Sequence, residues 1–178
     1  MDSPQRIGVF GGTFDPIHRG HIEAAYTAMK NFNLDQILFV PARVSPHKTG
    51  EETKPTSFHH RAAMVEMTIQ SEPKFKLDIR EGLRTQVSYT IDTLRELSTE
   101  IPEAKLFLII GRDQAKVFHT WHLPEEIKQL ATLIEIPRES NGLSATKIRE
   151  LAKNQQPLNG LVNPKVQGYI ETLQIYKI

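Results

Sequence analysis

Short hydrophobic runs alternate along the chain with longer segments in which hydrophobic positions recur every three or four residues. The short runs predict five strands, at Ile7–Phe10, Gln36–Val40, Phe75–Ile79, Lys105–Ile110 and Leu133–Ile136. The longer segments predict helices between and after these strands. The helices are expected at His18–Asn31, Ser57–Ser71, Tyr89–Thr99, Asp113–Phe118, Pro124–Leu130, Ser144–Lys153 and Asn163–Thr172.

This alternation favours an α/β fold, a Rossmann-like parallel sheet with helices on both faces. The chain has 178 residues and no internal repeat, low-complexity tract or linker, so a single domain over residues 1–178 is expected. Pro41–Thr56 contains three prolines, a glycine and many polar residues, which predict a long mobile loop. Loops of this length in a compact domain usually serve a function or are disordered.

Three polar segments directly follow predicted strands. Gly11–His21 comes after the first strand, Arg43–Lys48 after the second and Gly111–Asp113 after the fourth. The carboxyl ends of parallel strands meet at one edge of a sheet, and ligands bind there near the point where the strand order reverses. The three segments are therefore expected to converge on one binding site.

Composition narrows the class of protein further. The formal net charge is +1, which gives no general attraction for nucleic acid or a membrane surface. The absence of cysteine excludes disulfides, thiol catalysis and cysteine-based zinc sites. No hydrophobic run approaches the ~20 residues of a membrane span, and the N-terminus lacks the hydrophobic stretch of a signal peptide. A soluble cytoplasmic protein is expected.

The segment after the first strand, Gly11–His21, has the features of a polyphosphate site. The paired glycines Gly11 and Gly12 let main-chain N–H groups approach an anion without interference from a Cβ atom. His18 and His21 stand at the start of a predicted helix, and their spacing puts both imidazoles on one face. Their protonation is left open, because a helix N-terminus disfavours imidazolium while bound phosphate favours it. The segment suits a nucleoside triphosphate.

Other kinds of site are disfavoured around these histidines. The P-loop pattern GxxxxGK[ST] is absent, and Gly8, Gly11 and Gly12 do not have the GxGxxG spacing. These absences count against a P-loop phosphotransferase and an NAD-dependent oxidoreductase. No carboxylate lies at helical spacing from both histidines, so no metal site is predicted there.

Leu143–Arg149 is a second candidate for phosphate binding. Ser144 or Thr146 would begin a helix, and Arg149, about one turn further on, offers a planar fork for phosphate oxygens. The alternative is an ordinary helix cap followed by a surface arginine. Asp113 presents the same choice, because it opens a predicted helix and could either cap it or contact a nucleotide.

Some other polar and aromatic residues have more than one interpretation. Asp15 is either a turn residue before a proline or a carboxylate at the edge of the site. Trp121 is the only tryptophan, and its polar neighbours suggest that a core residue reaches the surface there. Tyr89 is either a core residue at a helix start or part of a pocket. His59 and His60 match no pattern and are interpreted as ordinary residues at a helix start.

The sequence GGTFDPIHRGH resembles the GxFxxxHxGH signature of the HxGH nucleotidyltransferase superfamily. Its individual residues are similar to those of the bacterial nicotinate-nucleotide adenylyltransferases. Four further segments are similar to this family, in the family's order: VPARVSPHK at Val40–Lys48, SYTIDTL at Ser88–Leu94, IIGRDQAKVFHTW at Ile109–Trp121 and LSATKIR at Leu143–Arg149. The matches span roughly residues 7–150. Their number and order make a chance resemblance improbable.

The resemblance implies transfer of the adenylyl group of ATP, carried with Mg²⁺, to a pyridine mononucleotide. The expected acceptor is nicotinate mononucleotide, and the expected products are deamido-NAD and pyrophosphate. The residues that it places at the reacting phosphates are His18, His21, Lys48 and Arg149. Those that it assigns to ATP are Phe10, Gly11, Gly12, Thr13, Phe14, Gly111, Asp113, Ser144 and Thr146. Those that it assigns to the acceptor are Asp15, Lys48, Tyr89, Thr90 and Trp121.

The chain departs from this family at one place. Thr132–Pro137 runs almost directly into Leu143–Arg149, whereas a few tens of residues usually separate these segments in the family. Three alternatives therefore stay open: another acceptor such as nicotinamide mononucleotide or phosphopantetheine, CTP in place of ATP, and an inactive nucleotide-binding relative. A homo-oligomer is compatible with the sequence but is not specified by it.

Overall fold

The computed structural model describes residues 3–43, 55–137 and 142–177, and at its centre is a sheet of five parallel strands. The strands are β1 (Arg6–Gly12), β2 (Gln36–Pro41), β3 (Phe75–Leu77), β4 (Lys105–Gly111) and β5 (Ala131–Ile136). Their order is β3-β2-β1-β4-β5, and every neighbouring pair is parallel. The order reverses between β1 and β4. The predicted Rossmann-like sheet is confirmed, and the reversal marks where a ligand is expected.

Helices connect the strands and follow the last of them. They are α1 (Arg19–Phe32), α2 (Phe58–Ile69), α3 (Arg80–Leu83), α4 (Thr90–Glu100), α5 (Arg112–Lys116), α6 (Pro124–Leu130), α7 (Ala145–Lys153) and α8 (Pro164–Leu173). A 3₁₀ turn at Phe118–Thr120 follows α5. Within the described ranges, no helix combines the length and the hydrophobicity that a membrane crossing requires.

The central strands are buried on both faces of the sheet. In β4, Phe107 and Ile109 join a core with residues of α1, α2, α7 and α8, while Leu106, Leu108 and Ile110 join a second core with residues of α4 and α6. Successive side chains of a strand point to opposite faces, so a continuous hydrophobic run supplies both cores. Helices therefore cover both faces, as the sequence predicts. We call the two cores the α1 core and the α4 core.

Gly8 lies where β1 packs against the α1 core. A Cβ atom at this position would stand 2.9 Å from Cδ1 of Leu34 and 3.0 Å from Cδ1 of Ile109. Such distances require the neighbouring side chains to move. A glycine in the middle of β1 thus allows close packing at the centre of the sheet.

Several predicted boundaries differ from the structure. β3 ends at Leu77 rather than at Ile79, because the Asp78 carboxylate accepts a hydrogen bond from the main-chain N–H of Arg80 at 2.9 Å and the short, unpredicted α3 follows. The single helix predicted at Asp113–Phe118 is divided into α5 and the 3₁₀ turn. β5 begins two residues earlier than predicted, at Ala131. Residues 44–54 of the predicted loop lie outside the described residues.

Candidate active site

A cavity of about 640 Å³ opens at the carboxyl ends of β1 and β4, where the strand order reverses. Its volume falls in the usual range for ligand pockets, roughly 300–1,000 Å³. The predicted site residues that line it are Gly11, Gly12, Thr13, Tyr89, Thr90, Gly111 and Trp121. The convergence predicted for the strand ends is therefore observed for the segments after β1 and β4.

Two of the lining glycines leave their surroundings open. A Cβ atom at Gly11 or at Gly111 would meet nothing within 4 Å. Packing within the protein therefore does not require glycine at either position. The missing side chains instead leave space in which a ligand can lie directly against the main chain of two adjacent strands.

Another part of the cavity lining, which we call the aromatic wall, contains Tyr89, Trp121 and His122. Trp121 packs on Phe118 with ring centroids 5.3 Å apart, and Tyr89 lies against the ring of His122 at 4.5 Å. Both Trp121 and Tyr89 are half-buried and line the cavity. Each of the two rings therefore packs against the protein on one side and also borders the cavity, so neither residue is purely a core residue or purely a pocket residue. The prediction did not include His122, whose isolated position carried no motif.

The cavity is also lined by a buried carboxylate that was not predicted from the sequence. Glu81, in α3, is 6% exposed and accepts a hydrogen bond from the hydroxyl of Thr93 at 2.7 Å. Burial raises the pKa of Glu81, which opposes its ionisation. Glu81 and the buried Ser88 both line the cavity, and Ser88 precedes the first residue of α4 by two positions. A single glutamate within an unpredicted four-residue helix gave no signal in the sequence.

The two histidines form a stacked pair at the start of α1. His18 is the N-cap residue, and its main-chain N–H donates to Nδ1 of His21 at 3.2 Å. The two ring centroids are 3.8 Å apart. Because Nδ1 of His21 accepts this bond, the neutral ring carries its proton on Nε2, which can donate to a ligand. Both histidines are half-buried, and neither lines the cavity.

The environment of His21 favours the neutral ring. Burial and then the proximity of His18 hold the pKa of His21 well below its ordinary value. The ring of Phe14 contributes to this burial, with its centroid 5.1 Å from that of His21. The sequence leaves the protonation of His21 open. In the structure without a bound anion, its environment favours the neutral ring at physiological pH.

The lowered pKa of His21 predicts that the ligand-free protein loses stability in mild acid. An unfolded histidine titrates near pH 6.5, so between the folded and unfolded pKa values the unfolded chain binds more protons. The contribution of His21 is fully present above about pH 6.5 and decreases as the pH falls through that window. Urea unfolding at about pH 7.5 and about pH 5.5 measures it. Equal losses in the wild type and in His21→Asn would contradict the prediction.

The second predicted phosphate segment meets the first through Asp15. Ser144 is the N-cap of α7 and accepts from the main-chain N–H of Lys147 at 3.2 Å, so its capping interpretation is confirmed. Arg149 is half-buried, and its Nη2 donates to the hydroxyl of Thr146 at 3.2 Å. Nη1 of Arg149 donates to the main-chain carbonyl of Asp15 at 2.7 Å. Arg149 thus lies beside the loop that leads to the histidines.

Several predicted ligand residues are placed away from the cavity. Phe10 and Phe14 are buried in the α1 core, so only their main-chain atoms remain for a contact with ATP. Asp15 is 5% exposed, with both carboxylate oxygens bonded to other parts of the protein. Asp113 lies on the exposed surface of α5, where Gly111 and not Asp113 is the N-cap. Lys48 lies outside the described residues.

Arg61 organises this edge of the protein and was not predicted. Its side chain is 1% exposed. Nε donates to the carbonyl of Thr56 at 2.7 Å, Nη1 to that of Thr13 at 2.7 Å and Nη2 to that of Arg43 at 3.3 Å. One guanidinium therefore ties the loop after β1 to the segments on both sides of residues 44–54. His60, its neighbour in sequence, pairs with a tyrosine hydroxyl and has the structural role expected of it.

Comparison with known proteins identifies the family to which this chain belongs. Residues 9–151 match the model of the cytidylyltransferase-like family. Nicotinate-nucleotide adenylyltransferase of Bacillus subtilis (strain 168) is 35% identical over 189 residues, covering 97% of this chain and 99% of the relative. The chain belongs to the nicotinate-nucleotide adenylyltransferase family. It is therefore a nucleotidyltransferase.

Solved structures share the fold of this family member. A putative nicotinate-nucleotide adenylyltransferase from Vibrio parahaemolyticus superposes with a TM-score of 0.80 at 19% identity, covering 97% of this chain and 96% of that one. Plasmodium falciparum nicotinic acid mononucleotide adenylyltransferase complexed with NaAD superposes with a TM-score of 0.73 at 21% identity, covering 97% of both chains. The alignment with the Bacillus relative spans 189 positions against 178 residues here. That relative therefore has residues without a counterpart in this chain.

Proposed function

We propose that this protein transfers the adenylyl group of ATP to nicotinate mononucleotide. The proposal rests mainly on one observation: the same cavity is lined by Gly11–Thr13 and Gly111 and by the aromatic residues Tyr89 and Trp121. A glycine-lined floor suits the nucleotide, and an aromatic wall suits a pyridine ring. Relatives named nicotinate-nucleotide adenylyltransferase support the same substrate pair.

In the proposed reaction, a 5′-phosphate oxygen of nicotinate mononucleotide forms a bond to the α-phosphorus of ATP. The bond between that phosphorus and the α,β-bridging oxygen breaks, and pyrophosphate leaves with the electron pair. The products are deamido-NAD and pyrophosphate. A phosphate dianion is already nucleophilic at neutral pH, so the protein's contribution is positioning and electrostatic stabilisation.

We assign the triphosphate to the start of α1 and to the arginine beside it. The Nε2 proton of His21, the ring of His18 and the guanidinium of Arg149 supply donors and positive charge in that region. Charge that develops on the leaving pyrophosphate would raise the proton affinity of these rings. In the proposal, Lys48 adds a further cation, and Ser144 and Thr146 provide hydroxyl groups near the phosphates.

The acceptor is assigned to the aromatic side of the cavity. The pyridine ring would lie against Trp121, and its carboxylate would face Tyr89 and Thr90 at the N-terminus of α4, where helix N–H groups favour an anion. Glu81 borders this region, and its raised pKa weakens the repulsion that it would exert on a ligand carboxylate. The Asp15 carboxylate is bonded within the protein and makes no direct contact with the acceptor in the proposal.

Nucleotidyltransferases of this family use a divalent metal ion together with ATP, and we propose that the ion here is Mg²⁺. No group of three or more histidine, aspartate or glutamate residues in the described ranges could hold a metal ion. In the proposal Mg²⁺ therefore binds as part of the nucleotide substrate, through phosphate oxygens, where it reduces the charge of the triphosphate.

Pyrophosphate release by the purified protein tests this function. ATP and Mg²⁺ are offered with nicotinate mononucleotide, nicotinamide mononucleotide or phosphopantetheine in parallel, and each product is identified by mass. CTP replaces ATP in a further reaction. Release with nicotinate mononucleotide and formation of deamido-NAD are expected. Turnover with another acceptor, or with CTP only, would refute the substrate assignment, and ATP binding without any turnover would indicate an inactive relative.

Trp121→Ala should weaken binding of the acceptor while ATP binding is retained. Stacking of an aromatic base on an aromatic side chain contributes about 1–3 kcal/mol, so the KM for nicotinate mononucleotide is expected to rise at least about fivefold. The KM for ATP should change less than about twofold, because the proposal assigns ATP to Gly11–Thr13, Gly111 and the start of α1 and not to Trp121. Trp121→Phe, which keeps a stacking surface, is the control. An unchanged acceptor KM in Trp121→Ala would exclude this residue from the acceptor site.

A further inference from the structure

Asp15 connects three distant parts of the chain beside the proposed phosphate residues. Its Oδ1 accepts a hydrogen bond from the hydroxyl of Tyr176 at 2.7 Å, and its Oδ2 accepts one from the main-chain N–H of Thr56 at 2.9 Å. Its main-chain carbonyl accepts the bond from Nη1 of Arg149 at 2.7 Å. Asp15 also precedes His18 by three residues. Its position therefore determines where Arg149 and the start of α1 lie.

Tyr176 reaches Asp15 because α8 ends in a left-handed turn. Gln174 has a φ of 51°, and the main-chain N–H of Ile175 donates back to the carbonyl of Ile170 at 3.1 Å. This pattern is a Schellman-type helix end, which changes the direction of the chain. The ring of Tyr176 then packs against the α1 core, and its hydroxyl meets the Asp15 carboxylate.

The hydroxyl of Tyr176 remains a donor over the working pH range. Burial and the adjacent Asp15 carboxylate raise the pKa of Tyr176 above its ordinary value. A hydrogen bond from a hydroxyl to a carboxylate is charge-assisted and stronger than one between neutral groups. Removing the donor would leave a buried carboxylate oxygen without this bond, and such a loss is costly.

We propose that Tyr176 is a positioning residue of the active site, and that by donating to Asp15 it holds residues 13–17 where Arg149 and His18 meet the triphosphate of ATP. This rests on the proposed adenylyl transfer for the identity of the ligand. The effect of misplacement is large, because a shift of about 1 Å in a catalytic group can lower a rate by about a hundredfold.

The proposed role of Tyr176 predicts different effects on the binding of ATP and of the acceptor. Tyr176 does not line the cavity that contains Tyr89 and Trp121, so binding of the acceptor should not depend on it. Its bond to Asp15 acts on the loop that precedes His18, which belongs to the proposed triphosphate region. Loss of the hydroxyl should therefore affect ATP binding and kcat, but not the KM for nicotinate mononucleotide.

Tyr176→Phe tests the proposal, because it keeps the ring in the α1 core and removes only the hydroxyl. Tyr169→Phe is the matched control. The hydroxyl of Tyr169, in α8, makes a hydrogen bond of 2.9 Å with Nδ1 of His60, and its ring packs on the same core. For both variants we would measure urea unfolding, kcat, the KM for the acceptor and the Kd for ATP by calorimetry without acceptor.

The expected result is a fall in kcat of about tenfold or more in Tyr176→Phe. The Kd for ATP should rise several-fold, and the acceptor KM should stay within about twofold. The unfolding midpoint should fall more than in Tyr169→Phe, because Tyr176→Phe removes a charge-assisted bond to a buried carboxylate. Values of kcat and ATP Kd within about twofold of those of Tyr169→Phe would refute the positioning role.

A double variant distinguishes action through Asp15 from a purely structural effect. If Tyr176 acts through Asp15, then Tyr176→Phe should cause no further loss of ATP affinity in an Asp15→Ala background. A further loss of the original size would overturn the proposal. The ATP measurements also separate this inference from the proposed function. A wild type that turns over no acceptor would refute the function alone, while the ATP affinities of the variants would still decide the role of Tyr176.

Discussion

His18→Ala is expected to lower kcat by about a hundredfold to a thousandfold, with the folded structure retained. Removal of one donor aimed at developing charge typically has this effect. His18 is half-buried, and its main-chain N–H, which bonds to Nδ1 of His21, survives the substitution. The loss should therefore be far larger in turnover than in the free energy of unfolding. Steady-state kinetics and urea unfolding of the variant would measure both quantities.

His21→Ala should differ from His18→Ala in one respect. His21 supplies the acceptor for the main-chain N–H of His18, so its replacement also removes a helix cap worth about 1 kcal/mol. His59→Ala is the control for both variants, because His59 is exposed at the start of α2. A kcat for His18→Ala within twofold of that for His59→Ala would remove His18 from the proposed chemistry.

Arg61→Leu should have the largest effect on stability. The substitution removes three hydrogen bonds from a fully buried guanidinium, and it leaves the carbonyls of Thr13, Thr56 and Arg43 without these donors. Breaking a buried charged network of this kind costs about 3–5 kcal/mol. Because Thr13 precedes the proposed phosphate residues, turnover should fall as well. Urea unfolding at neutral pH would measure the loss of stability.

Two further variants define what Arg61 contributes. Arg61→Lys keeps the charge but loses the planar fork, so an intermediate loss is expected. Arg95→Leu is the control, because Arg95 pairs with Glu126 on the surface, where such pairs contribute about 0–1 kcal/mol. Equal losses of unfolding free energy in Arg61→Leu and Arg95→Leu would show that the buried network does not stabilise the fold.

The strands, most helices and the location of the site could be predicted because they depend on local patterns. The hydrophobic runs of β1 and β4 are long enough to identify buried strands, and the glycines that end them mark the cavity. By contrast, α3 has only four residues, and a local carboxylate with a set of ion pairs holds it in place. No periodic pattern exists in so short a segment.

Other features could not be predicted because they depend on long-range contacts. Arg61 stands near a helix start, where an arginine is normally exposed, and two of its three acceptors, Thr13 and Arg43, lie 48 and 18 positions away in the sequence. The bond between Tyr176 and Asp15 joins residues separated by 161 positions. Phe14 was expected at the ligand, but its hydrophobic ring is more stable in the α1 core.

The division of the hydrophobic interior into two cores has a consequence for how substrate choice can evolve. His21 and Arg149, which are proposed for the phosphates, stand on helices that pack in the α1 core, whereas the aromatic wall stands on elements that pack in the α4 core. The sheet separates the α1 core from the α4 core. Mutations can therefore accumulate on the α4 side and change the acceptor while the helices that carry His21 and Arg149 keep their packing.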